Sequence, residues 1–174
     1  MNTLIEDLLS YSRLGRQVLK IRAVDLDKIV EEIIAEASDK TSNRQIIWKI
    51  SKLPVVYADF SMIYVLLQNL IQNAIKFTGL REKAVIEIGF AGPSENNPYY
   101  EFCIRDNGAG FDMQYADKLF GVFQRLHSMK EFPGTGIGLA NVKKIVTRHG
   151  GTVRAEGTVE RGAAIFFTLP AENS

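Results

Sequence analysis

Three polar side chains fall on one face of an otherwise apolar helix near the middle of the sequence. Asn69, Asn73 and Lys76 are spaced i, i+4 and i+7, which places them on the same side of an α-helix. An amide oxygen is a neutral ligand for Mg²⁺, and a lysine ammonium can bind a phosphate. These residues alone leave two interpretations open: a site for a metal and a phosphate, or a solvated helix face.

A short acidic turn follows directly after a predicted strand. Asp106 is followed by Gly108 and Gly110, and glycines let the backbone turn tightly and approach a ligand closely. The carboxylate can accept a hydrogen bond from an exocyclic amine such as that of adenine. Because acidic turns with glycines are also common in ordinary loops, this segment alone does not decide between a ligand site and a plain turn.

A glycine repeat stands at the predicted start of a later helix. It consists of Gly134, Thr135, Gly136, Ile137 and Gly138, with Leu139 directly after it. Free backbone N–H groups at a helix N-terminus form an anion site. The repeat matches neither the phosphate-binding P-loop nor the dinucleotide-binding fingerprint, so its ligand is not identified by the repeat itself.

A segment of about 20 residues without regular pattern separates the acidic turn from the glycine repeat, and such long loops are commonly functional lids. It contains Phe120, Phe123, Arg125 and His127, with Phe132 near its far end. We expect these residues to fold over a bound nucleotide and to bring Arg125 to a phosphate. The alternative is a packed surface loop whose aromatic rings complete the core.

The elements that must position these residues follow from the hydrophobic periodicity. Helices are predicted at residues 1–14, from Asp25 or Asp27 to Asp39, at 61–77 and at 138–149. Strands are predicted at residues 17–24, 45–50, 55–58, 84–90, 99–105, 152–156 and 163–169. Blocks of helices and strands joined by short turns predict an α+β, two-layer sandwich with a mixed sheet covered on one face by helices.

The first helix has an apolar stripe that needs something to cover it. The stripe is formed by Leu4, Ile5, Leu8, Leu9 and Tyr11. Two interpretations are open: a terminal helix packed on its own domain, or a stub of a helical dimerisation bundle.

The composition of the 174 residues is that of one compact domain, with 46% hydrophobic residues. Lys and Arg number 21 against 20 Asp and Glu, so no basic field points to a nucleic acid. Cys103 is the single cysteine; it excludes an internal disulfide and is expected in a buried strand. The sequence shows neither a membrane-spanning apolar run nor a secretory signal. We therefore expect a cytoplasmic domain without direct membrane contact, although its parent protein can be membrane-bound.

The order of the motifs resembles the catalytic, ATP-binding domain of sensor histidine kinases. This domain belongs to the gyrase, Hsp90, histidine kinase and MutL superfamily, and the resemblance extends from about residue 21 to about residue 170. Residues 69–77 look like the N-box, 106–110 like the first glycine box, 120–123 like the F-box and 134–138 like the second glycine box. The runs after Phe123 and Gly134 look most like the phytochrome-related branch.

The resemblance implies a domain that binds Mg·ATP. By it, Asn73 is the Mg²⁺ ligand, Asp106 contacts adenine, and Lys76 and Arg125 contact phosphates. Phe77 lines the pocket, as do the first glycine box and Asn69. The backbone from Gly134 to Leu139 holds the triphosphate. It also implies that residues 1–16 end the second helix of a dimerisation bundle and that residues 17–172 form the catalytic domain.

Departures from the family pattern shape the functional prediction. Asn69 stands where ATPase members of the superfamily have a glutamate that activates water, so we expect Asn69, Lys76 and Arg125 to serve transfer to a histidine. His127 and His149 do not resemble the acceptor, which we expect on a helix outside this chain. Ala164 and Ile165 replace the usual Thr or Ser and Phe, with little functional loss expected.

The resemblance further implies a dimeric parent kinase and a response regulator as downstream partner. Two other functions are weighed against this one: an ATPase of the same superfamily, and a non-enzymatic docking module.

Overall fold

The computed structural model describes residues 3–127, 132 and 134–172. The helices are α1 Thr3–Arg16, α2 Leu26–Ser38, α3 Phe60–Phe77 and α4 Gly138–Arg148, and Met113–Lys118 form a short 3-10 helix. The strands are β1 Ile21–Asp25, β2 Gln45–Ile50, β3 Val55–Asp59, β4 Lys83–Ala91, β5 Tyr99–Asp106, β6 Val153–Thr158 and β7 Gly162–Pro170.

The main sheet has five strands in the order β2-β4-β5-β7-β6. The pair β2–β4 is parallel and the other pairs are antiparallel, which confirms the predicted α+β architecture with a mixed sheet. The strands β1 and β3 form a separate antiparallel pair. Asp106 ends β5 opposite Ala163 of β7, so the acidic turn emerges from the middle of the main sheet.

The core lies between the helices and one face of the main sheet. Helix α3 contributes the largest number of buried residues of the four helices, because its apolar residues recur at helical spacing along one side. It buries Met62, Ile63, Leu66, Leu67, Leu70, Ile71 and Ala74. From the sheet, the rings of Phe102 and Phe167 stack at 5.0 Å within this core. The core therefore holds α3 rigidly, with its polar side turned toward the glycine-rich segment.

Both ends of α3 are held by specific hydrogen bonds. Asp59 caps the N-terminus and accepts from Met62 N at 3.2 Å. At the other end, Arg44 donates to the carbonyl of Ile75 at 2.9 Å and to Thr78 Oγ1 at 3.0 Å. Orphan carbonyl groups at a helix C-terminus need such partners. The last turn of α3, which carries Lys76, is fixed in this way.

Helix α1 packs on α4 through its C-terminal half. Leu14 is buried, the Lys144 ammonium lies 3.9 Å from the centre of the Tyr11 ring, and Arg148 donates to the carbonyl of Leu14 at 2.8 Å. The rest of the predicted stripe stays exposed, with exposures of 44–52% for Leu4, Ile5, Leu8 and Leu9. The C-terminal half of α1 therefore fits a helix packed on its own domain, while the exposed N-terminal half fits a stub of a dimerisation bundle.

Several local predictions differ from the structure. The first strand begins at Ile21 instead of Gln17, because the N–H of Gln17 still bonds the carbonyl of Arg13 in the helical manner. Of the two residues predicted as N-cap candidates for α2, the structure confirms Asp25, while the Asp27 carboxylate accepts from Leu53 N at 2.7 Å. The 3-10 helix was not predicted. Among the described residues, no helix is both long and apolar enough to cross a bilayer.

Candidate functional site

A cavity of about 440 Å³ lies between α3 and the glycine-rich segments. Twelve of the predicted site residues line it: Asn69, Asn73, Lys76, Phe77, Asp106, Gly110, Arg125, Gly134, Thr135, Gly136, Gly138 and Leu139. Two further predicted residues, Gly108 and Ile137, do not line it. The volume falls in the range of small-molecule sites.

The wall formed by α3 carries an amide group without a protein partner. Asn69 Nδ2 is buried, and no acceptor among the described residues lies within hydrogen-bond distance of it. Its Oδ1 faces Gly138, where an added Cβ would lie 3.5 Å away. A buried donor without a partner is costly, so this group favours a ligand site over a solvated helix face.

The first of two groups of lining residues surrounds a half-buried carboxylate; we call Asp106, Gly110, His127 and Ala163 the Asp106 cluster. Asp106 Oδ1 accepts from Gly108 N at 2.8 Å. Burial raises the pKa of Asp106 to about 6, against the opposing effect of the N–H groups of Gly108 and Ala163. The cavity thus contains a poorly solvated acceptor suited to an N–H donor.

The turn after Asp106 is anchored to the end of α3. A Cβ on Gly108 would lie 2.3 Å from the Phe77 carbonyl oxygen, and Ala109 N donates to that oxygen at 3.0 Å. Gly110 has a φ of +63° and would clash with the Thr158 carbonyl through any Cβ. Gly108 therefore allows the turn after Asp106 to pack closely against the end of α3, and it lies behind the cavity wall.

Arg81 holds this turn from outside and was missed by the sequence analysis. Its guanidinium donates to the carbonyl oxygens of Asn107 at 2.8 Å, Gly108 at 3.0 Å and Glu160 at 2.6 Å. The Asn107 side chain accepts from Val85 N at 2.8 Å. The sequence carries no local signal for these contacts, because the donors and acceptors come from segments that meet only in the fold.

The second group of lining residues contains two cations, one carboxylate and part of the glycine repeat; we call Lys76, Arg125, Gly134, Thr135 and Asp7 the Lys76 cluster. Burial, and secondarily the charge of Arg125, lower the pKa of Lys76. A Cβ on Gly134 would lie 3.0 Å from Lys76 Nζ, and Arg125 donates to the Gly134 carbonyl at 2.6 Å. Thr135 Oγ1 donates to Asp7 Oδ2 at 2.6 Å.

The glycine repeat leads directly into α4. Gly136 has a φ of +78°, and its carbonyl accepts from Phe123 N at 3.0 Å. Ile137 is fully buried, so it anchors the start of α4 in the core and cannot line the cavity. No side chain caps the N-terminus of α4, which leaves its first N–H groups available to an anion.

Part of the predicted aromatic lid reaches the cavity. The Phe77 ring lies 5.4 Å from that of His127 and 5.0 Å from that of Phe132, and both lid residues line the cavity. Phe123 is 49% exposed with a φ of +62°, and neither it nor Phe120 lines the cavity. Residues 128–131 and 133 of this segment lie outside the described residues.

The sheet supplies lining residues that the sequence analysis did not place in the site. Ile104 of β5 and Ala163 and Ile165 of β7 face the cavity, while Ala164 is buried. The alternation of these strands contains the signal, since residues two apart share a face of a sheet. Ile165, a departure from the family pattern, therefore stands in the cavity wall.

The residues present fit a nucleotide with its metal. A buried amide donor lacks a partner, a glycine-lined cradle lies beside Lys76, and the α4 N-terminus is uncapped. The described residues contain no group of three or more His, Cys, Asp or Glu that could hold a metal ion. A Mg²⁺ ion at the Asn73 amide would therefore depend on oxygens of the bound ligand and water.

Comparison with known proteins places these features in a family. A family model described as "Histidine kinase-, DNA gyrase B-, and HSP90-like ATPase" matches residues 58–173. Cyanobacterial phytochromes A and B from Nostoc sp. are 36% and 40% identical to this chain over 170 and 171 residues. The matches cover 98% and 97% of this chain but only 22% of each phytochrome.

A solved structure supports the same relationship. The crystal structure of full-length ShkA in complex with AMPPNP matches 99% of this chain and 36% of its own, with a TM-score of 0.80 and 25% sequence identity. This chain therefore corresponds to a part of ShkA, as it does to a part of each phytochrome.

Proposed function

Because this chain belongs to the histidine kinase-, DNA gyrase B- and HSP90-like ATPase family, we propose that it binds Mg·ATP and transfers the γ-phosphoryl group to a histidine. The acceptor lies on a helix that this chain does not include, in a dimerisation bundle. The ATP-binding catalytic domain of the histidine kinase type accounts for the fold and for the relatives. The catalysed step is the part that we propose.

The observation that carries the proposal is the union of two unlike clusters in one cavity. The Asp106 cluster offers a desolvated acceptor, which suits the exocyclic amine of adenine. The Lys76 cluster offers two cations and a glycine-lined backbone, which suit phosphates. A nucleotide has these two chemistries joined by a ribose.

The roles of the α3 residues follow from their chemistry. Asn73 presents an amide to the cavity and is the proposed Mg²⁺ ligand. Held there, Mg²⁺ would supply positive charge to offset that of the transferring phosphoryl group. Lys76 and Arg125 orient and neutralise the phosphate oxygens, while Asn69, which lines the same cavity, helps to position the ligand. Catalysis then consists of positioning and charge neutralisation.

Asn69 favours transfer to a histidine over hydrolysis. An amide cannot take a proton from water, and general-base assistance contributes roughly 10²–10⁴-fold to a rate. A neutral imidazole carries its own lone pair and attacks phosphorus without a base. The ATPase alternative therefore lacks the group that it needs most.

Neither histidine of this chain is placed to accept a phosphoryl group. His149 is buried; its Nε2 accepts from Asp59 N at 3.0 Å and its Nδ1 lies 2.8 Å from the Ile145 carbonyl oxygen. His127 is packed against Phe77 and Phe132, with its Nε2 2.9 Å from the Gly110 carbonyl oxygen. The acceptor accordingly comes from another polypeptide segment.

The proposed setting is two-component signalling in the cytoplasm. Residues 1–16 would belong to the dimerisation bundle and residues 17–172 to the catalytic domain of a dimeric parent kinase. A response regulator would receive the phosphoryl group next. The exposed stripe of α1 supports the bundle assignment, since an apolar helix face of this size needs a partner.

Nucleotide binding and phosphotransfer test the proposal together. The chain should bind ATP in the presence of Mg²⁺ and should phosphorylate a supplied helical hairpin that carries a kinase acceptor histidine. Absence of ATP binding would exclude both the kinase and the ATPase. Binding without transfer would favour the docking module, which currently has no observation in its support.

The Asn69→Glu variant separates the kinase from the ATPase. If a missing general base suppresses hydrolysis, this variant should hydrolyse ATP faster than the wild type in a phosphate-release assay. Asn69→Gln is the matched control, because it lengthens the side chain equally without adding a carboxylate. Equal rates of ATP hydrolysis by both variants would contradict the inference that Asn69 suppresses hydrolysis because it cannot act as a general base.

A further inference from the structure

One carboxylate in the cavity wall comes from outside the segment that matches the family model. Asp7 of α1 lines the cavity together with Lys76 and Thr135, whereas the family match covers residues 58–173. Among the described lining residues, Asp7 and Asp106 are the acidic ones. The proposed role of Asp106 is to bind the adenine base. Asp7, in contrast, lies among the residues that are proposed to bind the phosphates.

Asp7 is held in this position by several contacts of α1. Its Oδ2 accepts from Thr135 Oγ1 at 2.6 Å, inside the glycine repeat. Further along α1, Tyr11 packs under the Lys144 ammonium and Leu14 is buried against the domain. Arg148 donates to the Leu14 carbonyl and so fixes the end of the helix to α4. The carboxylate is therefore presented to the glycine repeat by a docked helix.

We propose that Asp7 makes the cavity discriminate against the third phosphate of the nucleotide. While α1 is docked, a negative charge and an occupied Thr135 hydroxyl stand beside the glycine repeat. Each additional phosphate charge near Asp7 raises the electrostatic free energy of the complex. Nucleoside diphosphates are accordingly tolerated with α1 docked, and triphosphates bind best when Asp7 has withdrawn. This inference rests on the proposed binding of a nucleotide in this cavity.

The same contact makes helix docking and triphosphate binding antagonistic. Coupling between two binding events is reciprocal, so a ligand that is disfavoured by docked α1 must itself disfavour docking. Mg·ATP should therefore loosen α1 from α4, whereas Mg·ADP should not. Tyr11, Leu14 and Arg148 provide contacts whose loss would report this release.

The test compares the affinities of the whole chain for Mg·ATP and Mg·ADP in wild type, Asp7→Asn and Glu6→Gln. Asp7→Asn removes the charge but keeps an oxygen that can accept from Thr135. We expect it to tighten Mg·ATP binding roughly fivefold and to change Mg·ADP binding less than about twofold, with the difference shrinking at high salt. Glu6→Gln removes the same charge from an exposed neighbour and should change neither affinity.

Each outcome has a definite meaning. An Asp7→Asn variant with the ATP-to-ADP affinity ratio of Glu6→Gln would overturn the inference, and weakened Mg·ATP binding would overturn it in favour of a metal-binding role for Asp7. A chain that binds neither nucleotide would refute the proposed function as well, so the two failures are distinguishable. Hydrogen exchange of the α1 amides provides the second readout: faster exchange with Mg·ATP but not Mg·ADP supports the inference, and equal exchange overturns it.

Discussion

The two clusters of the cavity differ in how they are held. The Asp106 turn is fixed by the main sheet, by the close approach to Phe77 and by three carbonyl contacts of Arg81. In the Lys76 cluster, Arg125 bonds the Gly134 carbonyl and Thr135 bonds Asp7, so groups suited to phosphates are engaged with the protein itself. The Asp106 cluster is thus preformed, whereas the Lys76 cluster must exchange contacts within the protein for contacts with a ligand.

Because of this difference, we expect the Asp106 cluster to contribute more to nucleotide affinity than any single residue of the Lys76 cluster. If the half-buried acceptor Asp106 is removed from a rigid site, the N–H donor of the ligand loses its hydrogen-bond partner, because no other protein group can move into that place. At the Lys76 cluster, Arg125 and the backbone N–H groups near Gly134 would partly replace Lys76 in binding phosphates. We therefore expect the strongest effects at Asp106 and graded effects elsewhere.

Asp106→Asn should give the largest effect. We expect ATP affinity to fall about 100-fold, because an ionised acceptor is replaced by a neutral amide that does not match the adenine amine. The thermal midpoint should not fall, because the variant no longer has to desolvate the ionised carboxylate whose pKa burial raises. Asp117→Asn, in an exposed position of the same segment, is the control. Unchanged ATP affinity would show that the Asp106 cluster is not the base site.

Lys76→Met should weaken ATP binding about 30-fold while leaving adenosine binding within about twofold, because only phosphates lose a charged partner. The apolar replacement keeps the half-buried stem of the side chain. Competition with a fluorescent nucleotide measures both ligands. Lys143→Met, exposed on α4, controls for the loss of positive charge. An equal loss for adenosine and ATP would mean that the variant has disturbed the whole cavity.

Lowering the pH should separate stability from binding. Between pH 6 and 4 the folded chain takes up a proton on Asp106 that the unfolded chain, with the ordinary pKa of 3.8, takes up later. The Asp106 contribution therefore raises the free energy of unfolding as the pH falls, while adenosine binding should weaken about tenfold at pH 5. Calorimetric titrations at pH 5 and pH 8 check this. If Asp106→Asn shows the same pH dependence, another group is responsible.

Arg81→Ala should have the smallest effect, about a fivefold loss of adenosine affinity, because the turn is also held by Asn107 and by Phe77. Arg81→Lys should restore only part of it, since an ammonium lacks the planar fork that reaches several carbonyls at once. Arg161→Ala is the exposed control in the neighbouring turn. A loss confined to the phosphates, with adenosine unaffected, would contradict the proposed division of the cavity.

The secondary structure was largely predictable because it follows from local periodicity. The polar face of α3 and the strand before Asp106 were both recognised, and the structure brings Asn69, Asn73, Lys76 and Asp106 to one cavity. Boundaries were less predictable where a distant partner decides them. The Asp27 carboxylate, for example, serves Leu53 instead of capping α2.

The order of the motifs in the sequence was sufficient to identify the histidine kinase-like family by resemblance, and the family match over residues 58–173 confirms this. Helical spacing placed Asn69, Asn73 and Lys76 on one face because it depends only on the local chain. Tertiary structure alone decided that Arg81 holds the Asp106 turn, that Gly108 and Ile137 stand behind the cavity wall, and that Asp7 faces the glycine repeat. These contacts join residues up to 128 positions apart in the chain. Nothing in the local sequence encodes such a pairing, since it arises only when packed elements close over a common core.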